Sequence, residues 1–169
     1  NLDLARKLSN KFENIFLVEG YMDVVGLSKN GIENAVANLG TSLTDKQIFT
    51  LNQFFNDIII CFDGDESGYK AALRAAENSI KGMKPEKQIS FLFLPDQEDP
   101  DSFVNKNGKE YFFDYSKKNK ILIHQFIFNH YKKNTQNNPS SMAIFEKKLR
   151  SIANTIKDNY IKKYVLEYF

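Results

Sequence analysis

Residues 58–60 are three consecutive isoleucines, followed by Cys61 and Phe62 and then, without a break, by Asp63-Gly64-Asp65. No polar residue alternates through that apolar run. A strand that reads this way is buried on both faces, as happens in parallel sheets covered by helices. Similar runs recur at Ile15-Phe16-Leu17-Val18, at Ala35-Val36-Ala37 and from Ile89 to Leu94. Between them lie helical signals: a pattern opening after Gly20 and stopped by Gly31, a Thr44/Gln47 capping box leading through Leu51, and an Ala- and Leu-rich stretch over 66–80. The alternation βαβαβαβ predicts an α/β chain with a parallel sheet flanked by helices.

In open sheets of this kind, ligands bind beyond the carboxyl ends of the strands. Asp63 and Asp65 stand at such an end, and Gly64 lets both turn toward one point. Two neighbouring carboxylates repel unless a cation holds them, and hard oxygen donors suit Mg²⁺ or Mn²⁺. An ordinary Asp-Gly turn is the plainer reading. An EF-hand loop is excluded, because the glutamate it needs at its twelfth position would be residue 74, which is Arg. The Asp-x-Asp nucleophile of haloacid-dehalogenase-like phosphatases also follows an apolar strand and stays open.

Other strands end in acids too: Glu19 after the first, Asp99 and Asp101 after the last, with Asp23 one helical turn beyond Glu19 and so able to share a helix face with it. Six acids on one sheet edge would serve two divalent cations about 3.5–4 Å apart, a clamp for phosphoryl transfer. Each has a plainer role as well. Asp23 suits the helix dipole, Asp99-Pro100 a helix cap, and Glu98 open solvent. Gly40 and Thr41 could form a phosphate loop or a simple turn. Lys70 and Arg74 could face an anionic substrate or neutralise a surface. His124 and His130 lie on different helix faces, which suits packing.

The 169 residues, with 15 Phe and 42% hydrophobic content, suffice for one domain with an appended helical piece. The single cysteine, Cys61, sits inside an apolar strand and reads as a core thiol. No stretch approaches the roughly 20 apolar residues of a membrane span, and no signal peptide is visible. Beginning at Asn1 in mid-phrase, the chain reads as a fragment of a longer cytosolic protein. Residues 1–116 carry 12 Lys+Arg against 18 Asp+Glu, and residues 117–169 carry 11 against 3. An acidic sheet region, 1–116, is therefore expected beside a basic helical subdomain, 117–169, fit for a polyanion or simply solvated.

Four blocks together carry a family resemblance. They are FLVEGYMDVV around Glu19, LGTSLT at 39–44, IIICFDGDESG, and FLPDQEDPDSFV at 93–104. In order and spacing they resemble the TOPRIM region of bacterial DnaG-type primases, over roughly residues 4–130. A glutamate with an Asp-x-Asp is common to all TOPRIM proteins, whereas EGYMDV and EDPD resemble primases in particular. The resemblance implies a Rossmann-like TOPRIM fold and template-directed synthesis of short RNA primers from NTPs on single-stranded DNA. By position, Glu19 would be a metal ligand and acid/base group, Asp63 and Asp65 the metal-binding pair, and Asp23, Asp99 and Asp101 further acids holding Mg²⁺ or Mn²⁺ and nucleotide. Lys70, Gly40 and Thr41 would touch substrate. The family's zinc module, basic subdomain and helicase-binding domain have no counterpart here, so this fragment is expected to bind metal but prime weakly. In the whole protein the replicative helicase would be a partner, in the cytoplasm at the replisome. A non-catalytic TOPRIM module remains a further alternative.

Overall fold

The computed structural model describes residues 2–38 and 43–169. Short helix α1 (Leu2–Lys7) leads into β1 (Asn14–Val18), α2 (Tyr21–Lys29) and β2 (Ala35–Ala37). Next come α3 (Asp45–Asn52), β3 (Asp57–Gly64), α4 (Glu66–Ser79) and β4 (Gln88–Asp96). The chain ends with α5 (Pro100–Asn107), α6 (Lys109–Asn119), β5 (Ile121–Leu122), α7 (Ile123–Lys133), α8 (Pro139–Ala153) and α9 (Asn159–Tyr168). The sheet order is β2-β1-β3-β4-β5. The first four strands run parallel, and β5 joins the edge antiparallel through Ser90↔Leu122 and Phe91↔Ile121.

Successive residues of β1 and β3 serve opposite cores, and this is why their sequence shows no polar alternation. Ile15, Leu17, Ile58, Ile60 and Phe62 face one cluster, which α3, α4, α7 and α8 complete. Phe16, Val18, Ile59 and Cys61 face the other, closed by Val24 and Leu27 of α2, Phe103 of α5 and Phe112 of α6. Each such side chain taken fully out of water contributes roughly 1.5–3 kcal/mol. The helical end docks on the first cluster: Phe145, Leu149, Ile152 and Val165 join it directly.

Several sequence expectations need correction. The sheet is mixed, because residues 121–122 form an edge strand before α7 begins. Pro139 opens α8, which Asn138 caps. Gly31 does end α2's turn, at φ +78, a conformation costly for any residue with a Cβ. The Thr44/Gln47 capping box forms as read. Among the described residues no helix is long and apolar enough to cross a membrane.

Candidate metal centre at the carboxyl edge of the sheet

From β1 the chain crosses to β2 on one side, then returns to place β3 on the other. The β1/β3 boundary is therefore the point where strand order reverses, and a crevice opens there between the outgoing loops. Glu19 follows the last residue of β1. Asp63 lies near the end of β3 and Asp65 just beyond it. Asp99 and Asp101 follow β4.

Local chemistry fixes most of these acids. Asp65 is the N-cap of α4 and accepts from the Gly68 N–H at 2.6 Å. Asp99 caps α5, accepting from the Ser102 N–H at 2.7 Å. Asp23, third residue of α2, accepts from the Gly20 N–H at 2.9 Å. Glu19 therefore stands outside α2, and the helix face expected to join it to Asp23 does not exist; the two meet through the turn at Gly20. Asp101 accepts from the Asn105 amide at 2.7 Å. Glu98, read as solvated, instead accepts from the Ser102 hydroxyl and pairs with Lys106 at 2.8 Å, because the α5 turn folds back over it.

Gly64 is held by a close backbone approach. A Cβ there would lie 2.1 Å from the Pro95 carbonyl oxygen, so the β3 and β4 loops close together only through glycine. The β3–β4 register also shifts between Phe62 and Gly64, which bends the Asp63–Asp65 turn out of the ladder.

The six carboxylates crowd one another. Burial first, then Glu19, Asp23, Asp99 and Asp65, push Asp63 up to about 6. Glu19 is raised by burial and by the charges of Asp65 and Asp23. Asp23 is raised by burial and by Asp99 and Asp101, against the opposing Gly20 N–H bond. Among the described residues no Lys or Arg pairs with any of the six. Nor do any three lie close enough as they stand to enclose one ion. The hydrogen bonds above engage one oxygen each of Asp65, Asp99 and Asp101, whereas Asp23 is held by backbone N–H groups of both Gly20 and Asp101. A set of hard oxygen donors with no internal counter-charge fits a divalent cation, which would bind by turning those carboxylates inward.

Beside Glu19 a cleft of about 300 Å³ runs between the ends of β1 and β3 and the flank of α4, lined by Asn38, Ser67 and Arg74 among others. Lys70 does not line it. Lys70 instead pairs with Glu66 at 2.6 Å on the exposed side of α4, since residues 67, 71, 74 and 75 are the ones that turn toward the sheet. Asn38 and Ser67 went unnoticed in the sequence, although Asn38 follows β2 as Glu19 follows β1. Gly40 and Thr41 lie outside the described residues. The histidines are packed: His130 meets the Tyr69 hydroxyl at 3.0 Å, and the His124 ring stands edge-on to Tyr168. Cys61 is buried, and burial with the charge of Asp23 raises its thiol well above the ordinary range.

A family model for the Toprim domain matches residues 13–93. The DNA primase of Pasteurella multocida is 45% identical over 116 residues, covering 69% of this chain and 20% of that protein. The crystal structure of a DNA primase domain from Pseudomonas aeruginosa superposes with a TM-score of 0.92 at 32% identity, covering 97% of this chain and 51% of that one. A DnaG primase catalytic domain bound to ssDNA superposes with a TM-score of 0.90 at 34% identity, covering 97% and 53%. The chain thus spans about a fifth of the curated relatives and about half of the solved structures it matches. These relatives do not favour the phosphatase alternative.

Proposed function

Because this chain belongs to the TOPRIM catalytic regions of the bacterial DnaG-type DNA primases, we propose that it carries the nucleotidyl-transfer centre of a primase. The reaction is template-directed joining of NTPs into short RNA primers on single-stranded DNA. The observation that carries this reading is the group of acids at the β1/β3 switch point, raised by one another and by burial and paired with no basic side chain among the described residues.

Asp63 and Asp65 are the central ligands in this reading, with Glu19, Asp23, Asp99 and Asp101 around them. Divalent cations, Mg²⁺ or Mn²⁺ at two or more sites, would offset the charge that develops on the α-phosphate and on the departing pyrophosphate. Glu19, raised above an ordinary carboxylate by burial and by the charges of Asp65 and Asp23, would take the proton of the primer 3′-hydroxyl. The caps made by Asp65 and Asp99 fix one oxygen of each, and the other would serve the cation. Arg74, on the cleft wall beside Glu19, would neutralise a phosphate of the incoming nucleotide. Gly40 and Thr41 are proposed to contact substrate as well. We assign catalysis to residues 1–116 and a supporting basic surface to 117–169, in a cytoplasmic protein whose helicase partner is engaged elsewhere in its sequence. The solved ssDNA complex of a related catalytic domain supports a single-stranded template.

The test is primer synthesis by the whole protein bearing Glu19→Gln or Asp63→Asn. Each should lower the rate by 10²-fold or more, the scale of losing a group that acts in the transition state. Near-normal priming by Glu19→Gln would refute the assignment.

A further inference from the structure

A second basic feature lies at the opposite end of the sheet. A groove of about 970 Å³ is lined by Lys46 and Phe49 of α3, Lys84 and Lys87 of the turn before β4, and Lys157 and Asp158 between α8 and α9. Its other walls, at the ends of α3 and α4, precede β3 and β4, so it sits by the amino ends of those strands. The eight residues of β3 put it roughly 25 Å from the acids.

Lys46, Lys84 and Lys157 pair with no described carboxylate. Lys87 spends its ammonium on the Phe55 carbonyl and the Asn56 side chain, neither of which cancels its charge. On the acidic side stand Glu86 and Asp158, the latter also capping α9 through the Ile161 N–H, so four lysines face two carboxylates. The Phe49 ring is 56% exposed, and the Lys84 ammonium lies 5.8 Å from its centroid. Past Asp158 the same chemistry continues along α9. Tyr160 is 75% exposed and Tyr164, one turn on, is 63% exposed, with the Lys163 ammonium 5.5 Å from the Tyr164 ring. Residues four apart rise about 6 Å along a helix. They also share a helix face, so the two exposed rings offer successive stacking platforms along one side of α9.

The geometry points to a second nucleic-acid site, in which a single strand lies in the Lys46–Lys84–Lys157 groove and runs on over Tyr160 and Tyr164. A duplex keeps its bases inside and would gain nothing from open ring faces, whereas unpaired bases stack on them. A mononucleotide would fill the groove but not use the tyrosines that continue it. The site stands apart from the metal-centre reading, and neither needs the other.

Fluorescence anisotropy of a labelled oligothymidine of about 16 nucleotides, a length within reach of one such surface, tests it on the intact chain in EDTA. Lys84→Gln/Lys157→Gln should weaken binding and flatten the slope of log affinity against log salt by about 1.4, or about 0.7 per cation for a single strand. Tyr160→Ala and Phe49→Ala should each weaken binding roughly five- to hundredfold. Lys29→Gln, an exposed cation outside the groove, should leave it unchanged, and because metal is absent from the assay its outcome does not depend on the metal centre. Unaltered affinity and slope in the lysine variant would overturn the proposal, and so would dTTP binding as tightly as the oligonucleotide.

Discussion

Asp63 shows most directly what the acidic rim means for the molecule. Its folded value of about 6 stands above the ordinary 3.8, so between pH 4 and 6 the folded chain keeps a proton that the unfolded chain has shed. The stability this brings is full below pH 4 and is lost as pH rises through 6. Metal-free chain should therefore become less stable across that interval at this residue, the reverse of an ordinary paired carboxylate. Asp63→Asn should stabilise the chain at pH 7 in EDTA by about 1 kcal/mol, the shift being discounted for its partial solvent screening, and should flatten the pH dependence. Urea titrations from pH 4 to 7 measure this, and a destabilised Asp63→Asn would contradict the repulsion described. Gly64 belongs to the same scale. Gly64→Ala must displace the Pro95 backbone, and its melting temperature should fall by several degrees, as for a change of 1 kcal/mol or more in a domain of this size.

Among the elements, helix caps join stability to the site. The Asp65 carboxylate satisfies a free N–H at the start of α4 and is also a ligand of the proposed cation. Asp65→Ala should cost about 1 kcal/mol for the lost cap, whereas Asp65→Asn keeps an accepting oxygen and should unfold like the parent. Both should bind Mn²⁺ much more weakly by calorimetry, because a carboxylate charge is gone. Equal stability of the two variants would show that the cap is idle. Elements with such local signals could be read directly: the Thr44/Gln47 box, the stop at Gly31 and the three long apolar strands all lie where their residues predicted. The short β5 could not be read. Ile121 and Leu122 carry the same apolar spacing as the helix that follows, and only the free edge of β4 makes them a strand. Which cation of α4 meets the cleft was hidden for a similar reason, since the helix's rotation on the sheet decides it, although the Glu66–Lys70 pair stands at local i,i+4 spacing.

For the molecule as a whole, the helical end and the sheet share one core. Phe126 of α7 is buried against the rings of Phe91, Phe93 and Tyr69, with centroids 5.2 to 5.4 Å apart. Phe126→Ala should cost about 3–5 kcal/mol. Far-UV circular dichroism and tyrosine fluorescence, usable because the chain has no Trp, should report one coincident unfolding transition with and without the substitution. Two separated transitions would mean that residues 117–169 fold independently. The sequence by itself determined where the four parallel strands lie, that strand ends carry acids, and that charge divides between the two parts of the chain, because periodicity and composition are local properties. Only the tertiary structure decided that Glu19 and Asp63 meet, that Asp23 reaches them through a turn rather than a helix face, and that lysines from three distant segments line one groove. Those are consequences of strand order and helix rotation, which depend on how the whole chain buries its two cores.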